Sequence, residues 1–400
     1  MRVASPSPYA CDVRRLVALA MPGGPEFVGA LRRGWDDGDA LLPLDVRLRE
    51  PAMARLIEAL RPSVMVDASG NSALLEGGKP VADGDALVVA TSGTTGEPRG
   101  VVLTHDAVRA SALATSARLG VDPSRDGWLA CLPLSHVGGL SVVTRALETG
   151  TPVEIQPRFT AEQAMAAARD RGATLVSLVP AALARLGADG TRLFRTIVVG
   201  GQPPPVDRPE NVVATYGMTE TGSGVVYDGV GLEAVEVELR SSEVWLRCPM
   251  LLRCYRDGTD PKTADGWFAT GDAGQIDEAG RLSVHGRLDD LVISGGENIW
   301  PAQVEAVLRS HPSVGDVAVD GRPDPEWGSR LVAYVVPSPA AQDAEPATIL
   351  AELRELVRDR LAPFAAPREL IVVKRLPRSA IGKVQRGELN TLDGPRASAG

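Results

Sequence analysis

The stretch VVATSGTTGEPRG, Val88 to Gly100, decides how this chain is read. It continues a short apolar run, ALVVA, from Ala86 to Ala90. It carries the hydroxyls of Thr91, Ser92, Thr94 and Thr95, the glycines Gly93, Gly96 and Gly100, and one cation, Arg99. Hydroxyls, turn-forming glycines with exposed amides and a positive charge after a strand suit a bound polyphosphate. The pattern is not the Walker loop, which needs a glycine, four residues and then Gly-Lys-Ser/Thr. Here no Gly-Lys-Ser/Thr follows. Taken alone, the same composition also reads as a Ser/Thr-rich surface turn.

The segments around the loop alternate between strand and helix. LLPLDVRLREPAMARLIEALRPSVMVD, residues 41–67, reads as a turn, an amphipathic helix and a strand. GVVLTHDAVRASALATSARLG reads as a strand followed by a helix, and WLACLPLSHVGGLSVVTRALETG as a buried strand, a turn at His136 to Gly139 and a helix. TLVSLVP, RTIVVGG and ENVVATYG have the continuous apolar character of buried parallel strands. Together they predict a mainly parallel sheet covered on both faces. From about residue 233 the texture changes to strict alternation (AVEVELRSSEVWLRCP), as in half-buried antiparallel strands. After Arg287 a smaller unit mixes helices (PAQVEAVLRSH, ATILAELRELVRDRLA) with strands (VGDVAVDG, RLVAYVVP, ELIVVKRLP).

Composition narrows the function classes. The chain has 400 residues and a net charge of -9, so wholesale binding to nucleic acid or to an anionic membrane is not expected. There is no apolar run long enough to span a bilayer and no apolar signal core at the start. The four cysteines show no CxxC spacing, so the expected setting is cytoplasmic, reduced and free of structural metal. Only four basic residues are lysines (Lys79, Lys262, Lys374, Lys383) among 42, so a lysine inside a motif is informative.

Further signals follow in order. TYGMTETG, Thr215 to Gly222, places Glu220 next to Thr219 after a strand, and a carboxylate beside a phosphate site is suited to Mg²⁺; it also reads as a capped helix start. ATGD ends a strand on Asp272, which could take ribose hydroxyls or simply sit in a turn. GRLDDLVISGGENI, Gly286 to Ile299, combines an arginine, paired aspartates and a glycine turn, or is an interdomain linker with a hairpin. PRSAIGKVQRGEL, Pro377 to Leu389, puts Lys383 after Gly382 near the C-terminus.

In this order the motifs resemble those of the adenylate-forming superfamily of acyl- and aryl-CoA ligases, luciferases and peptide-synthetase adenylation domains, over roughly Ala86 to Leu389. Arg99 and Ser379 stand where lysine and threonine are commoner. The resemblance implies that a carboxylate attacks the α-phosphate of ATP to give acyl-adenylate and pyrophosphate, and that a thiol then displaces AMP. It implies that Thr91, Ser92, Gly93, Thr94, Thr95, Gly96 and Arg99 hold the β and γ phosphates. Thr219 would contact the α-phosphate, and Glu220 would help place Mg²⁺. Gly200, Gly201, Gln202, Tyr216 and Gly217 would flank the adenine, and Asp272 and Arg287 would bind ribose. Lys383 would reach the substrate carboxylate and α-phosphate during adenylation. Asp289 would be the hinge, and Gly295 and Gly296 would face coenzyme A.

Within the superfamily, PLSHVGGLS and ISGGENIWPAQVEAVL most resemble the o-succinylbenzoate–CoA ligases of menaquinone biosynthesis, whose substrate is a keto-dicarboxylate. His136 would border the acid pocket, or be a structural turn histidine. Arg145 would pair with the carboxylate that is not activated, or be a surface helix arginine. The expected activity is an acid–thiol ligase; another aryl or short acyl acid, or the phosphopantetheine of a carrier protein as acceptor, stay open. So does the oligomeric state, a homodimer included.

The expected fold is α/β. A large N-terminal domain of layered α/β sheets with a small β-barrel subdomain would span residues 1–286. A small mobile α+β C-terminal domain would span 287–393, with a disordered tail over 394–400 and the site in the crevice between the domains.

Overall fold

The computed structural model describes residues 14–92, 98–202, 208–378 and 384–399. Its contacts divide the chain into two compact units. The first runs to Gly201 and includes Glu210–Glu236 and Arg247–Phe268. The second holds Gln202–Pro209, Val237–Leu246 and the chain from Ala269 onward.

Two seven-stranded sheets stand in the first unit among the described residues. In one, Leu16–Ala20, Ala40–Pro43, Val64–Asp67 and Asp85–Ser92 are parallel, and antiparallel neighbours flank them. In the other, the expected parallel strands Leu175–Leu178, Thr196–Val199 and Val212–Gly217 lie side by side. Two helices are packed between the sheets. His105–Leu119 rests on Asp85–Ser92 and Pro98–Thr104, Val137–Thr149 rests on Trp128–Ala130 and Leu175–Leu178, and the helices pack on each other. The first is started by the Thr104 hydroxyl, which accepts the Ala107 N–H at 3.1 Å, and ended by Gly120 at φ 58°. The main core gathers around Phe27, Trp128, Leu140, Val143 and Tyr227. Burial of such side chains contributes roughly 1.5–3 kcal/mol each.

The second unit contains a four-stranded sheet in the region of alternating sequence. Its strands Glu236–Arg240 and Glu243–Arg247 are joined by Ser241 and Ser242, both at positive φ. A second four-stranded sheet carries Val314–Asp324, Gly328–Pro337 and Glu369–Val372, with the helices Pro301–Leu308 and Pro346–Arg360 packed on it.

Two expectations are corrected. His136 to Gly139 is not a separate turn: His136 is the N-cap of the helix Val137–Thr149. Gly139 in its first turn is obligatory, since a Cβ there would lie 2.4 Å from the Leu132 carbonyl oxygen. The tail over 394–399 is not disordered. Arg396–Ser398 pairs antiparallel with Glu369–Val372, and Ala397 packs against the core. The open edge of that sheet needed a partner for its backbone groups, and a short polar segment supplies one regardless of its composition. Among the described residues no helix is long and apolar enough to cross a membrane.

Candidate functional site

The opening motif caps a β-hairpin. Asp85–Ser92 and Pro98–Thr104 pair with Thr91 opposite Arg99 and Ser92 opposite Pro98. Gly93, Thr94, Thr95 and Gly96, and the side chain of Ser92, lie outside the described residues. At the hairpin's return Gly100 is required by close approach, because a Cβ would lie 2.7 Å from Leu60 Cδ2 and 2.8 Å from Val88 Cγ1. The Arg99 guanidinium is stacked over the Tyr255 ring, 3.6 Å from its centroid. Stacking fixes the plane of the cation while leaving its edge for an anion. Its ion pair to Asp257, at 3.8 Å between exposed groups, adds little.

Tyr255 connects this loop to the next motif. Its hydroxyl donates to Glu220 Oε1 at 3.0 Å. Burial, and then the Glu220 charge, push the phenol well above its ordinary pKa, so it stays a donor. Glu220 and Thr219 lie in a single 3₁₀ turn, Thr219–Thr221, after the strand Val212–Gly217. The Thr221 hydroxyl holds that turn by accepting the Met218 N–H at 2.9 Å and donating to the Ser223 carbonyl at 2.7 Å. Among the described residues no cation pairs with Glu220, and no cluster of three His, Cys, Asp or Glu could hold a metal. A divalent ion here would rest on Glu220 and on phosphate oxygens, a donor set that suits Mg²⁺.

The neighbouring strand Thr196–Val199 ends beside Val212–Gly217, with Val199 opposite Ala214. Gly200 and Gly201 therefore come to the same strand ends as Tyr216 and Gly217. A Cβ on Gly200 would lie 2.9 Å from Thr215 Cγ2, and Gly201 has φ 82°. Thr215 Oγ1 is buried there without a hydrogen-bond partner among the described residues. Gln202 follows directly in the chain.

In the second unit Asp272 and Arg287 are cross-strand partners, with Arg287 Nη1 3.3 Å from Asp272 Oδ1 and 2.7 Å from the Thr270 carbonyl. Asp289 sits in the 3₁₀ turn Leu288–Asp290. Gly295 and Gly296, at φ 60° and 84°, form the tight turn joining Val292–Ser294 to Glu297–Ile299. A Cβ on Gly295 would lie 2.8 Å from Trp327 Cε3. Lys383 lies outside the described residues.

Of the two residues expected to border the acid, His136 is half-buried at the start of the helix Val137–Thr149. Arg145, on the same helix, is 1% exposed, so the surface-arginine reading is excluded. Its guanidinium lies 4.8 Å from the Trp128 ring centroid and donates to Ser223 Oγ at 3.1 Å. Its Nε and Nη1, and the Trp128 Nε1, are buried with no hydrogen-bond partner among the described residues. Among the described residues no carboxylate pairs with it. Burial lowers its pKa, yet an arginine stays charged at neutral pH. A desolvated cation with unused donors is a receptor for an anion. A small cleft lined by Ser111, Leu140, Ser141 and Thr144 opens beside the same helix.

Sequence reasoning missed Tyr255, Trp128 and Ser223. Trp128 lies in the same strand–helix stretch as Arg145, whereas Tyr255 and Ser223 meet their partners from 35 and 78 residues away.

Residues 77–244 match the AMP-binding enzyme family, and residues 303–383 match the AMP-binding enzyme C-terminal domain. The 2-succinylbenzoate–CoA ligase of Listeria monocytogenes is 35% identical over 331 residues, covering 76% of this chain and 69% of that protein. The o-succinylbenzoate CoA synthetase of Bacillus subtilis, solved with its acyl-adenylate intermediate, superposes with a TM-score of 0.83 at 28% identity, covering 96% of this chain and 90% of that one. The same enzyme with ATP and magnesium ion gives 0.82 at 28% identity over 95% and 90%. By these family matches and relatives the chain belongs to the AMP-binding, adenylate-forming enzyme family.

Proposed function

We propose that this protein is an ATP-dependent carboxylate–CoA ligase that acts through an acyl-adenylate, with o-succinylbenzoate as its acid. The observation that carries the choice of acid is Arg145. A buried guanidinium with two unpartnered nitrogens fits a substrate that has a second carboxylate to neutralise. A monocarboxylic acid would leave that cation uncompensated.

Most of the catalysis is positioning and charge stabilisation. The hydroxyls and amides of 91–96 and the stacked Arg99 hold the β and γ phosphates. Thr219 meets the α-phosphate. Tyr255 orients Glu220 so that its second oxygen is free for Mg²⁺, which when bound offsets phosphate charge. Gly200, Gly201, Gln202, Tyr216 and Gly217 flank the adenine: the glycines leave room for a planar base, and Thr215 Oγ1 is an unused polar group beside them. Asp272 accepts from the ribose hydroxyls, with Arg287 holding the aspartate. Lys383, a compact ammonium, bridges the substrate carboxylate and the α-phosphate during adenylation. The part beyond residue 286 then turns about Asp289, withdrawing Lys383 and bringing Gly295 and Gly296 to coenzyme A. His136 borders the acid.

The test is pyrophosphate release with ATP and a panel of acids, followed by coenzyme A or a phosphopantetheinyl carrier protein as acceptor. Release with o-succinylbenzoate, far above that with benzoate or fatty acids, and transfer to coenzyme A are expected. No release with any acid would refute the reading.

A further inference from the structure

Arg386 stands where four elements of the second unit meet. It opens the short helix Arg386–Leu389, three residues after Lys383. Its Nε donates to Asp290 Oδ2 at 3.2 Å, in the turn Leu288–Asp290. Its Nη1 lies 2.9 Å from Glu305 Oε1, on the helix Pro301–Leu308, and also donates to the Val319 carbonyl on the strand Val314–Asp324. Glu305 is 5% exposed and accepts the Val319 N–H at 2.9 Å as well as Arg309 at 3.1 Å. On either side of residues 379–383, Arg378 bridges to Val384 and the Gln385 N–H donates to the Pro377 carbonyl at 2.9 Å. Arg378 is itself paired with Asp316 at 2.6 Å.

A partly buried guanidinium shared by two carboxylates and a carbonyl is a rigid junction, since breaking any arm leaves a poorly solvated charge. We infer that Arg386 is a positioning residue: through Asp290 it fixes the base of the Lys383 segment to the hinge turn, so that Lys383 travels with the turn and arrives in register for adenylation. The link places the swivel before Asp290, at Arg287 to Asp289. The inference rests on the roles proposed above for Lys383 and Asp289. The thioester step does not use Lys383, so it depends on this junction less than adenylation does. A misplacement of about 1 Å at a reacting group can lower a rate by about 100-fold.

Asp290→Asn, which keeps shape and loses charge, and Arg386→Lys, which keeps charge and loses the fork, test this beside Lys383→Ala. Adenylation is read as single-turnover pyrophosphate release, and the second step as thioester formation from supplied o-succinylbenzoyl adenylate and coenzyme A. Both variants are expected to slow the first step about tenfold or more and the second less than about twofold. Equal loss in both steps, or no loss in either, overturns the inference. If Lys383→Ala keeps adenylation, the proposed role of Lys383 fails instead. Hydrogen exchange of peptides covering 377–389 gives a readout that needs no substrate: Asp290→Asn should speed exchange there, and unchanged protection also overturns the inference.

Discussion

Tyr255 Oη lies 3.0 Å from Glu220 Oε1, and the face of its ring carries the Arg99 guanidinium. One aromatic side chain thus holds both the proposed magnesium carboxylate and the proposed phosphate cation of the first unit. Tyr255→Phe keeps the stacking and removes the hydrogen bond. A hydrogen bond to a charged group contributes about 1.5–3 kcal/mol. The expected result is a rise of about tenfold in the Mg²⁺ concentration needed for half-maximal adenylation, with the affinity for acid unchanged, measured by magnesium titration of pyrophosphate release. An unchanged magnesium requirement would remove Tyr255 from the metal's support.

Arg145 predicts opposite effects on stability and function. Among the described residues no countercharge meets its buried guanidinium, and an unpaired buried charge is costly, so an apolar side chain of similar volume relieves that cost. Arg145→Met should therefore raise the denaturant midpoint. It should also raise KM for o-succinylbenzoate at least about 30-fold, the loss expected from cutting a buried charge pair. Turnover of benzoate, which has no second carboxylate, should not fall. If Arg145→Met destabilises the protein and leaves KM alone, the arginine is a core group with no substrate role.

Gly295 is strained for any other residue. Its φ is 60°, and a Cβ would meet Trp327 at 2.8 Å. Gly295→Ala should cost about 1–2 kcal/mol locally and displace the turn. With the roles proposed above, thioester formation from supplied adenylate should slow while pyrophosphate release stays near normal. The reverse split would move this turn from the coenzyme A step to the ATP step.

The parts legible in the sequence were those set by local chemistry. The parallel strands ending in Gly200 and Gly217 were visible as apolar runs that stop at glycine, and the Thr221-capped turn was visible as TETG. Tyr255 was invisible, because its partners Arg99 and Glu220 reach it only through strand pairing of Cys254–Tyr255 with Pro98–Thr104 and the backbone bond from Leu252 to Glu220. The burial of Arg145 did leave a signal. GLSVVTRALE is apolar around most of its circumference, and a helix of that kind lies inside the protein, so its one arginine had to be buried too. The edge strand Arg396–Ser398 left none, since its place depends on an open sheet edge and not on its own residues.

Asp320 gives the pH test. Burial, the largest cause, raises its pKa, with Asp290 and Glu305 adding to the rise and Arg386 and the Gly321 N–H opposing it. A carboxyl whose folded pKa is raised binds its proton more tightly in the native state. Its penalty is therefore absent below the unfolded value of about 3.9, grows as pH rises from there through the folded value, and is complete above it. Asparagine never ionises and can still accept the Gly321 N–H, which Asp320 Oδ1 takes at 2.9 Å. Asp320→Asn should thus be more stable than the parent at neutral pH, and the gap should close as the pH falls toward about 4. Denaturant melts of both proteins across that range measure it. A variant less stable than the parent at neutral pH would mean that attraction to Arg386 outweighs burial.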